Sequence, residues 1–445
     1  MAQHDPDLNL YVLDATDVDP FVIPDEDGAA NVIGDGRDNV ITGNSGANSI
    51  DGGGGNDILY CGSQGEDTLL GGPGDDSLFG SNGVDILKGG LGNDTYKLHI
   101  FDEIIEYAGE GVDTIITNTH YVLPDHVENL VSGSDFGFKL TGNDLDNVLI
   151  GGGEGNHLDG GIGADTLQGG AGEDFYYIDD EGDVIIETQP GAKDIVYSSV
   201  SYTLGENLEV LDAVGVNKNL VLIGNSLDNF IYAHMGANTI DGGAGADIMV
   251  GGAGNDTYYI DNANDMIAEF SGIDTVITRV SFRIEDQEIL KAIGSSPVSL
   301  TGDGFANTIT GNIGKNTIKA GGGNDRLNGG YGSDVLYGGA GRDVFTFRDK
   351  LSKTSNLDRV VDYRVADDTI YLENAIFRKL TKTGTLSGTN FVLGSKAKDK
   401  NDYIVYDKVK GYLYYDADGS GSGAAVAFAK LATGLKMAAS EFKVI

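Results

Sequence analysis

The chain has 445 residues, 69 of them glycine and only 7 proline, and its 69 Asp+Glu against 29 Lys+Arg give a formal net charge of −40. Glycine at about twice its usual ~7% without matching proline excludes a collagen-like or proline-rich chain, and an acidic balance with no basic stripe excludes nucleic acid as a partner. A single cysteine, Cys61, excludes an intrachain disulfide, and no stretch approaches the ~20 apolar residues of a membrane span.

Residues 1–32 carry acids such as Asp14 and Asp25 and no apolar run. A cleaved N-terminal secretory signal is therefore not expected, and the segment reads as a cap on the first coil. From 33 to 97 a nonapeptide G-G-x-G-x-D-x-U-x recurs, where U is a large apolar residue. Residues 52–60 and 71–79 fit it, 80–88 and 89–97 nearly so, and looser versions precede them at 34–38 and 42–51. The unit returns at 142–177 (copies at 160–168 and 169–177), 223–259 (242–250 and 251–259) and 302–346 (320–328, 329–337 and 338–346).

Each position of the nonapeptide has a physical role. Glycine supplies positive φ and lets the backbone approach a ligand, so its loops expose carbonyl oxygens. The Asp adds a carboxylate beside them. Oxygen-only donors at flexible spacing suit a hard cation with six to eight ligands, which selects Ca²⁺ over Zn²⁺. The x-U-x tripeptide is a very short strand whose middle side chain points inward. Two nonapeptides make one solenoid turn, and the ions are expected between neighbouring turns.

Between the runs lie three spacers, 98–141, 178–222 and 260–301, which resemble one another. The first reads Asp102-Glu-Ile-Ile-Glu106, Asp113-Thr-Ile-Ile and Val127-Glu-Asn-Leu130; Asp183–Glu187 with Asp194, and Asp265–Glu269 with Asp274, repeat the pattern. Alternating Ile, Val and Thr predict strands that continue the solenoid as wider coils. The last copy of each run carries an aromatic U: Tyr96, Tyr176, Tyr258 and Phe345. We read these rings as core that closes the narrow roll, with carbohydrate stacking as the alternative.

Residues 347–445 differ in charge. They hold 16 of the 29 Lys+Arg and 12 of the 69 Asp+Glu, a net of +4, which leaves −44 upstream. Strands are predicted at 368–372, 403–406 and 411–415, and the Ala-rich stretch 424–431 reads as a strand or a short helix. Asp416-Ala-Asp418-Gly-Ser opens like an EF-hand loop, but Ala427 stands where the closing Glu belongs, so no EF-hand is expected.

The nonapeptides resemble those of the RTX (repeats-in-toxin) family, the hemolysin-type calcium-binding repeats of exported toxins, proteases, lipases and alginate epimerases; this motif is a known Ca²⁺-binding repeat. The resemblance implies an all-β fold, a right-handed parallel β-roll or β-helix solenoid with a C-terminal β-rich cap, and several bound Ca²⁺ ions. The implied ligands are Asp57 with the carbonyls of Gly53 and Gly55; Asp76 with Gly72 and Gly74; Asp85; and Asp94 with Gly90 and Gly92. In the second run they are Asp165 with Gly161 and Gly163, and Asp174 with Gly170 and Gly172. The third has Asp247 with Gly243 and Gly245, and Asp256 with Gly252 and Gly254. The fourth has Asp325 with Gly321 and Gly323, Asp334 with Gly330 and Gly332, and Asp343 with Gly339 and Gly341.

The C-terminal region is similar to the last domain of serralysin-type proteins on residues 345–349, Asp362-Tyr363, Asp367-Asp-Thr-Ile370, 414–419 and the acidic-then-apolar tail. In that family the domain caps the roll and carries an uncleaved signal read by a type I secretion transporter. The serralysin protease centre is not expected, because no H-E-x-x-H occurs at any of the six histidines, and no G-x-S-x-G marks a lipase. The expectation is a secreted, extracellular, calcium-folded protein without catalysis that acts in a surface, adhesion or matrix role. The alternative is a Ca²⁺-dependent polysaccharide binder like the alginate epimerase repeat modules.

Overall fold

The computed structural model describes residues 2–14, 20–215 and 218–445. Met1 and 15–19 of the expected N-terminal cap, and 216–217 of the second spacer, lie outside the described residues. The chain falls into two compact units, Met1–Gly215 and Val216–Ile445. Both are built almost wholly from short strands joined by loops.

In the first unit, successive strands alternate between stacked sheets. One sheet runs from Phe21–Val22 through Val40–Thr42, Ile58–Tyr60, Ser77–Phe79 and Thr95–Lys97 to Val184–Ile185, with every pairing parallel. The strands skipped by that sheet, such as Asn31–Ile33, Ser49–Asp51, Thr68–Pro73 and Ile86–Leu91, form another parallel sheet. Ile41 pairs with Leu59, Leu59 with Leu78 and Leu78 with Tyr96, steps of 18 or 19 residues. One coil is therefore two nonapeptides. The chain is an all-β parallel β-solenoid.

Inside the coils the U residues stack. Ile41, Leu59, Leu78, Tyr96, Ile115, Leu130, Leu149 and Leu167 are each 0% exposed. A sequence with one large apolar side chain per nine residues builds such a core only because each coil lays its U on the last. Tyr96, Tyr176, Tyr258 and Phe345 are as fully buried, so the rings are core and no carbohydrate stacks on them. The first spacer continues the coils: Thr114–Thr117 pairs with Thr95–Lys97 on one side and with Asn129–Ser132 on the other.

The second unit repeats this plan from Val221–Ile223 onward, through Thr239–Asp241, Thr257–Ile260, Thr275–Thr278 and Ile289–Ala292. After Val344–Phe347 the pattern changes. Thr369–Leu372 adds in parallel, followed by Phe442–Val444 close to the chain end. Val426–Lys430, Tyr412–Tyr415 and Ile404–Asp407 pair antiparallel. The Ala-rich stretch is thus a strand. Phe347, Phe377 and Phe428 pack edge to face beneath these strands, with ring centroids 5.1 Å apart.

Candidate metal centre

Each nonapeptide folds its first six residues into a loop between strands of different sheets, and loops of successive coils lie one above another. All twenty glycines proposed from the sequence have positive φ, from 79° at Gly243 to 145° at Gly74. Position 2 requires glycine for a second reason. A Cβ on Gly53 would collide with the Asp35 carbonyl oxygen, and one on Gly72 with that of Gly53. Position 4 is as close-packed: Gly74 faces the Gly55 carbonyl and Gly92 that of Gly74. Two files of carbonyl oxygens therefore run along the loops, each aimed at the next coil.

The carboxylates are not solvated tips. Asp57, Asp76, Asp85, Asp94, Asp165, Asp174, Asp247, Asp256, Asp325, Asp334 and Asp343 are all 0–1% exposed. Their Oδ1 atoms form a ladder across coils. Asn39 donates its backbone N–H to Asp57 Oδ1 (2.7 Å), Asp57 to Asp76 (2.7 Å), Asp76 to Asp94 (2.7 Å) and Asp94 to Asp113 (2.7 Å). The file on the other side of the roll runs from Asn48 to Asp67 (2.6 Å), Asp85 (2.9 Å) and Asp102 (3.3 Å). Asn147 to Asp165, Asn156 to Asp174, Asn229 to Asp247, Asn238 to Asp256, Asn307 to Asp325 and Asn316 to Asp334 open the ladders of the later runs.

The second carboxylate oxygen tells of a ligand. Oδ2 of Asp57, Asp76, Asp94, Asp165, Asp174, Asp247, Asp256, Asp325, Asp334 and Asp343 is buried without a hydrogen-bond partner. Leaving a buried acceptor unsatisfied costs ~1–3 kcal/mol, more for a charged group. Except at Asp325, where position 1 is Ala320, these oxygens sit beside the position-1 glycine of their own loop, and at Gly52 and Gly71 the next coil's position-1 carbonyl points there too. A Cβ on Gly52 would meet both Asp57 Oδ2 and the Gly71 carbonyl, the latter at 3.0 Å; on Gly71 it would meet Asp76 Oδ2 and the Gly89 carbonyl, at 2.7 Å. Two acceptors facing one another with no hydrogen between them fit a hard cation. Burial above all pushes Asp57, Asp67, Asp94, Asp165 and Asp325 up to about 7, as expected of charge with no offset. Asp85 differs, because Ser81 N–H takes its Oδ2 (2.7 Å).

Sequence reasoning missed three groups here. Asp67, 0% exposed with an orphaned Oδ2, belongs to the copy that starts at Cys61, and the cysteine at position 1 hid it. The asparagines at position 6 of each run's opening coils escaped a motif written with Asp, although they stand in phase with it. Asp113, Asp194 and Asp274 continue the ladder into the spacers, and each passes its own N–H to a glutamate: Glu128, Glu209 and Glu288. Their recurrence in all three spacers was the available signal.

The family model for the RTX calcium-binding nonapeptide repeat matches residues 33–64, 62–96, 141–176, 223–258, 301–336 and 310–345. No curated protein matches the chain. The matched segments coincide with the stacked glycine loops and their buried aspartates. Over these segments the chain carries RTX calcium-binding nonapeptide repeats.

Proposed function

We propose that the chain is an exported, non-catalytic protein that folds on calcium outside the cell and serves a surface, adhesion or matrix role. The observation that carries this reading is the file of buried aspartates whose second oxygen has no hydrogen-bond donor and, at Asp57 and Asp76, faces a carbonyl. Asp57, Asp76, Asp165, Asp247, Asp325, Asp334 and Asp343 would hold ions within the loops, and Asp94, Asp174 and Asp256 where the first three runs end, with a following coil's position-1 carbonyl facing Asp57 and Asp76; the positive-φ glycines keep the loops open to close stacking. Calcium, when bound, supplies the positive charge that these oxygens lack.

Upstream of residue 347 the net charge is −44. At cytosolic calcium these acids repel one another, and the sparse apolar content does not offset chain entropy. An unfolded chain suits passage through a type I transporter, and residues 347–445, similar to the serralysin C-terminal domain, are proposed to carry its signal. Sites of one or two carboxylates with carbonyls fall in the ~10⁻⁴–10⁻³ M range of extracellular modules. No helix among the described residues is long and apolar enough to cross a membrane.

Circular dichroism of the purified chain tests the folding step. Little β-structure in chelator and full β-structure in millimolar Ca²⁺ are expected; identical spectra would refute the reading. Deleting residues 386–445 is expected to abolish export.

One surface favours polysaccharide as the partner. His157 stacks on Phe175 with centroids 4.4 Å apart, and Tyr177 stacks on Tyr197 at 5.3 Å, on the outer face of one sheet. Stacked face to face, the rings present their edges and the tyrosine hydroxyls, which suit hydrogen bonds to sugar hydroxyls. Binding to an acidic glycan that vanishes in chelator supports this second reading.

A further inference from the structure

Three places in the molecule repeat one arrangement that the nonapeptide motif does not describe. Where the first run passes into its spacer, Asp94, Glu106 and Asp113 bring one carboxylate oxygen each to within 4.8 Å of one another. Asp174, Glu187 and Asp194 do the same after the second run, and Asp256, Glu269 and Asp274 after the third. The six aspartates are 0–1% exposed, and Glu106 and Glu187 are 7% and 8% exposed.

Each cluster includes the aromatic that ends the run. Tyr96 hydroxyl accepts from Gly89 N–H (2.7 Å) and donates to Glu106. Tyr176 hydroxyl accepts from Gly169 N–H (3.0 Å) and donates to Glu187 (2.8 Å). At the third junction the hydroxyl of Tyr258, 0% exposed, has no hydrogen-bond partner, and neither do Asp256 Oδ2 and Glu269 Oε1. All three converge on the space beside Gly251 where a Cβ would stand, with Glu269 Oε1 2.7 Å from it. A buried phenol aimed unpaired at two unpaired carboxylate oxygens points to a missing positive partner.

The fourth run supplies the contrast. Phe345 replaces the tyrosine, its Cζ lying 3.0 Å from the Cβ position of Gly338. Asp362 there accepts from the N–H groups of Gly338 and Gly339, both at 3.0 Å. Among the described residues no trio of carboxylates forms at that junction. Hydroxyl and glutamate are present together three times and absent together once.

We propose that each of the three junctions holds one hard divalent cation of the calcium class, bound inside the coil by Asp94, Glu106 and Asp113, by Asp174, Glu187 and Asp194, and by Asp256, Glu269 and Asp274, with the hydroxyls of Tyr96 and Tyr176 positioning Glu106 and Glu187. These sites are distinct in composition from the loop sites. Glu269 stands beside Gly251 where a neutral carbonyl stands beside Gly52 and Gly71. Affinity for Ca²⁺ rises with the number of ligand charges and with rigidity, so three carboxylates in a packed coil hold an ion that single-carboxylate loops release. Burial, with Asp113 and Asp94 beside it, pushes Glu106 up to about 8, consistent with uncompensated charge.

The full chain, folded in millimolar Ca²⁺, is dialysed against a buffer holding free Ca²⁺ near ~10⁻⁵ M, between the ranges for sensor and extracellular sites, and its metal is counted by atomic emission. Three ions per chain are expected to remain. Glu106→Gln, Glu187→Gln and Glu269→Gln should each retain one fewer, while Asp57→Asn, confined to a loop, should retain all three. Because the chain has no tryptophan, Tb³⁺ bound here is sensitised by tyrosine. Its emission should saturate at three ions per chain and fall by about a third in Tyr258→Phe. Wild-type protein that keeps fewer than three ions, or glutamine variants that keep the wild-type count, would overturn the proposal. The wild-type count and emission need no substitution and decide the matter if a variant does not fold. Loss of the loop ions alone leaves the three-ion count intact, so the two readings fail separately.

Discussion

The opening and closing coils of each run share one backbone but differ in a single atom at position 6. In opening coils the residue is asparagine. Asn156 Nδ2 donates to the Gly169 carbonyl of the next coil (3.1 Å), and Asn316 Nδ2 donates to that of Gly329 (3.3 Å). In closing coils the residue is aspartate, and the same direction is occupied by a carboxylate oxygen, as where Asp76 faces the Gly89 carbonyl. Asn156 and Asp76 both accept a cross-coil N–H on Oδ1, Asn156 that of Phe138 at 3.0 Å and Asp76 that of Asp57 at 2.7 Å. The comparison separates two tasks. The Oδ1 ladder makes the coil, while the second atom decides whether the loop carries its own hydrogen or needs a cation.

Protons break this comparison most severely, because they turn every aspartate into a partial copy of asparagine. Asp57, Asp67, Asp94, Asp165 and Asp325 are pushed from 3.8 to about 7 in the folded chain. The native state then binds more protons than the unfolded one between these values, so stability without calcium is fully present below about 3.8 and is lost as pH rises through about 7. In chelator, acidifying from pH 7.5 to about 5 should restore much of the β-signal in circular dichroism, reversibly. A chain that stays unfolded across that window would show that burial of these carboxylates is not what opposes folding.

Much of this was legible in the sequence, and the reasons for the rest are specific. Rigid nine-residue spacing fixed coil length, loop position and the inward U, since Leu59 and Leu78 can stack only if two nonapeptides close a turn. The C-terminal strands were readable from alternation and appear at Thr369–Leu372, Ile404–Asp407 and Tyr412–Tyr415. Burial of Asp57 was not readable, because it depends on how closely Gly53 and Gly72 let neighbouring coils approach. Glu106 and Asp113 read as strand residues, since they meet Asp94 only after the spacer has coiled back. Asn156 was passed over because a motif names residue types, whereas the ladder needs only an oxygen at Oδ1.

Substitution at Asp76 sharpens the distinction. Asp76→Ala removes the acceptor for the Asp57 N–H and leaves that buried donor unsatisfied, which should cost ~1–3 kcal/mol in millimolar Ca²⁺. Asp76→Asn keeps the ladder and offers the Gly89 carbonyl a donor, as Asn156 does for Gly169. It should lose bound calcium yet cost less than about 1 kcal/mol in urea unfolding. Equal losses in the two variants would mean that the ladder contributes nothing beyond the ion.

The reverse exchange has the smallest expected effect and tests the same rule from the other side. Asn156→Asp keeps the acceptor for Phe138 N–H but removes the amide donor to the carbonyls of Glu154 (2.6 Å) and Gly169 (3.1 Å) and to Asp174 Oδ1 (3.0 Å). Two hydrogen bonds to carbonyls at ~0.5–1.5 kcal/mol each and a third to a carboxylate are then lost in chelator, where acid-folded protein should unfold at lower urea. In millimolar Ca²⁺ the new carboxylate faces the Gly169 carbonyl as Asp76 faces that of Gly89, so the loop should recruit an ion and recover to within about 1 kcal/mol of wild type. Calcium titration monitored by urea midpoint distinguishes the cases: a variant as weak in saturating calcium as in chelator would show that position 6 alone does not make a calcium loop.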